Sequence, residues 1–163
     1  MVPDIAISLL LVVASWRDVI TRTIPDHVAL VVAVIGMTVR SAAGWSPMLL
    51  SLATAAFLFA VLLLLAMRGW LGGGDVKLAA ALAVGLPPAA TWDFVVATGL
   101  AGGILGLGYL AGPRFAPRLR PVMSARTLSR ILAVEARRLR RGGPLPYGVA
   151  IAAGGILVIL GRP

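Results

Sequence analysis

The chain lacks cysteine and has a single histidine, His27, among its 163 residues. The lack of cysteine excludes disulfide bridges, thiolate metal sites and cysteine nucleophiles. One histidine is too few for a histidine-based metal centre, so we expect neither a metal nor another cofactor. Charged residues are also scarce, at 13%, whereas 60% of the residues are hydrophobic. A soluble domain of this size could not cover so much apolar surface, so the composition indicates a membrane protein.

Hydrophobic runs separated by polar, proline or glycine breaks predict an all-α membrane protein, a bundle of about six transmembrane helices. The runs cover roughly residues 3–18, 27–43, 47–67, 75–90, 93–112 and 145–161. Read as one helix at about 1.5 Å per residue, the stretch from Asp75 to Asp93 is about 27 Å long. That length is close to a hydrocarbon core of about 30 Å. We expect one membrane domain over residues 1–163, with the first span retained.

Acidic residues are few, since six carboxylates stand against 15 lysines and arginines, for a net charge of +9. If the loops alternate, thirteen of the 15 basic residues fall on one side, nine of them in a loop at about 113–144. This asymmetry predicts an outward N-terminus and a cytoplasmic basic loop. The loop is either solvated or an amphipathic helix, capped by Ser124, on the anionic inner leaflet. Without an aromatic platform beside the charge, we expect no nucleic-acid partner.

Three carboxylates on the predicted cytoplasmic side, Asp18, Asp26 and Asp75, are the functional candidates. Each has a structural explanation: Asp18 could pair with Arg17 or Arg22, and Asp26 and Asp75 could cap the helices that follow them. A charge beside a membrane span is costly, however, and is a functional hypothesis by default. Two carboxylates that share one proton can activate water for attack on a peptide carbonyl. Asp18 and Asp75 are the candidate pair, and Asp26 is a lesser candidate.

Three glycines, Gly72 to Gly74, come directly before Asp75. Because glycine has no Cβ, another backbone can approach the carboxylate closely at this point. Lys77 follows within the same turn, and its ammonium could simply extend to the membrane interface. Alone, such a stretch also suits an ordinary turn between two spans.

Together, these residues resemble the type IV prepilin peptidases, membrane aspartyl proteases of the GxGD type. The second-aspartate motif of that family matches Gly72-Gly73-Gly74-Asp75-Val76-Lys77-Leu78 without a gap, and its first-aspartate region matches Asp18 to Asp26, including Ile24-Pro25. A third match is Pro146-Tyr147-Gly148, before the last predicted helix. The resemblance implies that Asp18 and Asp75 are catalytic, with Gly72, Gly74 and Lys77 as motif residues. At Asp26 the family usually has Asn.

The resemblance also implies a substrate and a location. The substrate would be a prepilin with a short basic leader and a hydrophobic helix, cut at the cytoplasmic face of a bacterial inner membrane. The chain has neither the cysteines nor the room for the methyltransferase insertion of bifunctional members, so it looks like the short form found with Flp-type, tight-adherence pili. Three alternatives stay open: a proton-coupled transporter or channel, a non-catalytic membrane subunit, and a preflagellin peptidase.

Overall fold

The computed structural model describes residues 2–115 and 145–161, and every regular element in these two ranges is an α-helix. Five helices lie in the first range and one in the second. Their bounds are α1 Val2–Thr21, α2 Asp26–Ala42, α3 Trp45–Met67, α4 Gly73–Val84, α5 Pro88–Phe115 and α6 Tyr147–Leu160. The predicted all-helical class is therefore confirmed. The proposed helix beginning near Ser124 lies outside the described residues.

Two of the helices are long and apolar enough to cross a bilayer. They are α3, over Trp45–Met67, and the part of α5 over Pro88–Ala111. Both present large apolar side chains outward, with Phe57 and Leu64 on α3 and Ile104 on α5 exposed. Apolar surface of this kind suits contact with lipid rather than water. The shorter α6 is also apolar but has only 14 residues.

The fourth helix ends earlier than the sequence predicted. It stops at Val84, followed by Gly85, and α5 begins at Pro88. The physical reason is the pair Pro87-Pro88: proline has no N–H to continue the helix and disfavours helical dihedrals in the residue before it, although it suits the first position of the next helix. With 12 residues, α4 is about 18 Å long. The helix predicted over about 75–90 was therefore too long, and the distance of about 27 Å from Asp75 to Asp93, which assumed helical rise throughout, was wrong.

The short α4 forms the centre of the bundle. It packs against α2, α3 and α6, while α6 in turn packs against α1 and α5. Seven of its 12 residues are buried, among them Leu78 and Leu82, which are nearly inaccessible. Buried side chains from α1, α2 and α6 surround it, including Leu11, Val32 and Ile151. Because α4 contacts three helices, its first turn has a fixed position relative to the ends of its neighbours.

Candidate active site

Asp18 occupies a core position on α1. The residues that α1 buries are Ile7, Leu11, Ala14 and Asp18, which follow one another at the three- and four-residue spacing of a single helical face. Asp18 is only 6% exposed, although an apolar residue would be expected at this position of the buried helical face. Since α1 continues to Thr21, the carboxylate lies one turn inside the helix rather than at its end. A buried carboxylate is costly unless other groups compensate its charge.

One compensating group comes from α6. The backbone N–H of Gly148 donates a hydrogen bond of 2.9 Å to Asp18 Oδ2. The third sequence match supplies this contact, because Pro146 stands at the N-cap of α6 and Gly148 is its second residue. A Cβ at Gly148 would lie 2.9 Å from both Cβ and Oδ2 of Asp18. Glycine is therefore required for the backbone of α6 to approach the carboxylate this closely.

Asp75 is the second buried carboxylate, at 8% exposure, and it lies in the first turn of α4. It is not the N-cap, as the simplest structural explanation had proposed; that position belongs to Gly72, and Asp75 is three residues further on. Its side chain turns back toward the start of the helix and forms a hydrogen bond with the backbone of Gly72. A Cβ on Gly72 would lie 2.8 Å from Asp75 Oδ2.

The other oxygen of Asp75 is chemically distinctive. Oδ1 is buried and has no hydrogen-bond partner among the described residues. Buried polar atoms are almost always satisfied, so an unsatisfied carboxylate oxygen is a place where water or a substrate group can bind. The charges that act on Asp75 include those of Asp18 and Arg22. The fold therefore brings the two predicted aspartates, 57 positions apart in the sequence, within electrostatic range of each other.

Arg22, which the sequence predicts only as a possible ion-pair partner of Asp18, is a further neighbour of the pair. It follows α1 and adopts φ 56°, a left-handed conformation otherwise limited in the described residues to two glycines. Such a conformation costs a non-glycine residue about 1 kcal/mol or more. Its backbone N–H donates to the carbonyl of Asp18, and its Nη2 donates a 2.9 Å hydrogen bond to Tyr109 Oη on α5. The sequence signal was its position four residues after Asp18, one helical turn away.

Asp26 and Lys77 form a separate ion pair. Lys77 Nζ lies 2.8 Å from both carboxylate oxygens of Asp26, and the two side chains are 52% and 72% exposed, respectively. Asp26 is the first residue of α2, whose N-cap is Pro25, so the expectation that Asp26 caps this helix was wrong. The pair joins the start of α2 to the first turns of α4. It also gives Lys77 a partner that the sequence did not specify.

The loop between α1 and α2 also touches α4 at Gly74. A Cβ at Gly74 would lie 3.2 Å from Ile24 Cβ and about as close to the Ile24 backbone. Ile24 is itself buried, at 8% exposure. The close approach predicted for the glycine stretch is therefore made by the residue before Pro25. Together with the Asp26–Lys77 pair, this contact fixes the loop that leaves Asp18 against the helix that carries Asp75.

A largely apolar cleft of about 560 Å³ lies between α3, α4, α5 and α6. Its wall includes Leu71 and Tyr147. These residues directly precede Gly72 and Gly148, the glycines that lie against the two carboxylates. The carboxylates of Asp18 and Asp75 are not part of its wall. The cleft therefore adjoins the aspartates without containing them.

Comparison with known proteins gives one match. A family model described as the type IV leader peptidase family matches residues 5–107. The matched region includes Asp18, the loop through Asp26 and the whole second-aspartate motif, but not Pro146-Tyr147-Gly148. The comparisons with curated proteins and with solved structures give no match.

Proposed function

Because the chain belongs to the type IV leader peptidase family, we propose that it is an aspartic endopeptidase that removes the leader peptide of prepilins, with Asp18 and Asp75 as the catalytic pair. The observation that carries this proposal is the pair itself. Two carboxylates on different helices are both buried, interact electrostatically, and include an oxygen, Asp75 Oδ1, without an internal partner. Aspartates that served only to cap helices would not need to be buried or to lie near each other.

The pair performs hydrolysis by sharing one proton. Like charges at close range do not both ionise, so one carboxyl is protonated while the other is ionised. The ionised carboxylate takes a proton from water as the water oxygen attacks the peptide carbonyl, and the protonated carboxyl gives its proton to the carbonyl oxygen. The tetrahedral intermediate then collapses: the C–N bond breaks, the amine leaves with a proton from the pair, and the new carboxyl group forms. We assign these roles to the pair rather than to either aspartate.

The neighbouring motif residues hold the pair in place. Gly72 and Gly148 allow backbone groups to bind the two carboxylates, and Gly74 allows the loop through Pro25 to pack on α4. Tyr147 and Pro146 set the start of α6, from which the Gly148 N–H points at Asp18. Asp26 and Lys77 form a tie between helices and take no part in proton transfer. This division leaves two of the three candidate carboxylates for chemistry.

The proposed membrane position of the site supports the proposed class of substrate. We infer six membrane helices with the N-terminus outside, so that both aspartates lie at the cytoplasmic face, because thirteen of the 15 basic residues then lie on that side. A prepilin with a basic leader and a hydrophobic helix would place its polar-apolar junction at this depth. Within this class we propose a Flp-type prepilin as the substrate.

The test is cleavage of a Flp-type prepilin co-expressed with the protein. The wild type should shorten the prepilin and create a new N-terminus at the leader junction, whereas Asp18→Asn and Asp75→Asn should leave it intact. Asp93→Asn is a matched control, because Asp93 is an exposed carboxylate on α5 and should not affect cleavage. Membrane insertion of each variant is checked by fractionation. Cleavage that survives in either Asn variant would overturn the assignment of the pair.

A further inference from the structure

The contacts of Arg22 suggest a role that no motif assigns to it. Arg22 follows Asp18 by one helical turn, and Ile24, two residues later, packs on Gly74, the neighbour of Asp75. Arg22 therefore lies on the short connection between the two carboxylates. Its positive charge acts on Asp75, which agrees with this placement.

Two structural features indicate that the side chain, rather than the backbone, is what matters at this position. The backbone has φ 56°, a conformation for which glycine is the usual residue after a helix. An arginine is nevertheless present, and its guanidinium is partly buried and bound to Tyr109 Oη at 2.9 Å. Tyr109 is 87 positions away in the sequence and lies on α5. The hydrogen bond therefore helps to fix the direction of a partly buried guanidinium.

We propose that Arg22 is a positioning residue, held by Tyr109, whose guanidinium stabilises the single negative charge that Asp18 and Asp75 share during catalysis. This inference rests on the proposed peptidase function. A cation held on this connection favours the ionised form of one carboxylate, which is then ready to accept the proton of water. It also stabilises the negative charge as the proton moves between the two aspartates, which lowers the barrier of the chemical step rather than strengthening substrate binding.

The decisive variant is Arg22→Gly. Glycine favours the observed φ, so the fold should be kept or slightly stabilised, but the charge is lost. We expect kcat for prepilin cleavage to fall by about tenfold to a hundredfold while KM changes little. Arg22→Lys, which keeps a cation that can donate to Tyr109, should restore most of the rate. Tyr109→Phe should cause a smaller fall, and the double variant with Arg22→Gly should be no slower than Arg22→Gly alone.

The matched control is Arg17→Gln, because Arg17 is an exposed arginine near the end of α1, five residues before Arg22. It should cleave at the wild-type rate. Wild-type cleavage that is lost in Asp75→Asn shows separately that the peptidase assay reports the aspartate pair. If that condition holds and Arg22→Gly cleaves as fast as the wild type, or if Arg22→Lys is as slow as Arg22→Gly, the role of Arg22 is overturned. A thermal unfolding measurement distinguishes a loss of folding from a loss of rate.

Discussion

The protein contains two very different carboxylate environments within a few turns of helix. Asp18 and Asp75 are buried and are contacted by the backbones of Gly148 and Gly72. The side chain of Asp26 is mostly exposed to solvent, and its negative charge is paired with the ammonium group of Lys77. The first environment keeps charge in a place of low dielectric, where it is costly and reactive. In the second environment the charges are solvated, so they cost little free energy, and the ion pair only joins two helices.

This difference shows that sequence proximity to a motif does not define a role. Asp26 belongs to the first-aspartate region of the sequence, and Lys77 to the second-aspartate motif, yet the two side chains neutralise each other outside the core. The glycines near Asp75 and Asp18, in contrast, contact the two buried carboxylates. They provide backbone groups to the carboxylates without bringing a compensating charge. Burial and backbone contact therefore separate the proposed catalytic carboxylates from the structural one.

The largest expected effect comes from Asp75→Asn compared directly with Asp26→Asn. Removing the buried carboxylate should lower the cleavage rate by at least about a hundredfold, because proton transfer to or from the substrate is lost. Its thermal stability should be unchanged or higher, since a buried charge close to Asp18 is removed. Asp26→Asn should keep near-wild-type cleavage. Cleavage rates and unfolding temperatures, measured on both variants in the same detergent, check this prediction. An inactive Asp26→Asn protein with normal stability would move Asp26 into the site.

A smaller but still clear effect is expected from Gly148→Ala. The added Cβ would lie 2.9 Å from Asp18, so α6 or the carboxylate must shift and the hydrogen bond must lengthen. Overpacking of this kind costs about 1–3 kcal/mol of stability, and the rate should fall by about tenfold or more.

The matched control is Gly108→Ala on α5, where an added Cβ meets nothing within 4 Å. Alanine is the better helix former, so that variant should be as stable as the wild type or more stable. Both variants are compared by prepilin cleavage and thermal unfolding. Equal behaviour of the two would show that the close approach of α6 to Asp18 is not required.

The smallest effect should come from breaking the exposed ion pair. Lys77→Ala or Asp26→Asn should each cost less than about 1 kcal/mol of stability, and cleavage should stay within about threefold of the wild type. The exchange of both charges, Asp26→Lys with Lys77→Asp, should restore the stability that either single change removes. A double-mutant cycle on the unfolding free energy measures the coupling. A coupling well above 1 kcal/mol would mean that the pair behaves as a buried one.

The sequence indicated which two aspartates would be buried near each other, but not the contacts that surround them. Asp18 and Asp75 were identifiable because carboxylates in apolar segments are rare, and the glycines before Asp75 indicated a close approach. The helical class followed from the length of the apolar runs. The early end of α4 was missed because Leu86 continues the apolar pattern, although Pro87 and Pro88 interrupt the backbone hydrogen bonds.

Long-range contacts were beyond the reach of the sequence for a different reason. The bond from Gly148 to Asp18 spans 130 positions, that from Arg22 to Tyr109 spans 87, and that from Lys77 to Asp26 spans 51. No local spacing rule relates residues so far apart, because their proximity depends on which helices pack together. Asp26 was expected to cap α2, but its carboxylate pairs with the distant Lys77 on α4. Asp75 departs from its expected role for a local reason, because Gly72 takes the N-cap position and Asp75, three residues later, bonds to the Gly72 backbone.

The hydrogen bond between α6 and Asp18 has a consequence for the biosynthesis of the protein. A ribosome delivers Asp18 to the membrane 130 residues before it delivers Gly148. During that interval the carboxylate of Asp18 still lacks the backbone N–H that α6 contributes. A nascent chain that is released early would therefore have an incomplete pair. On the proposed function, proteolytic competence would begin only once α6 has packed against α1.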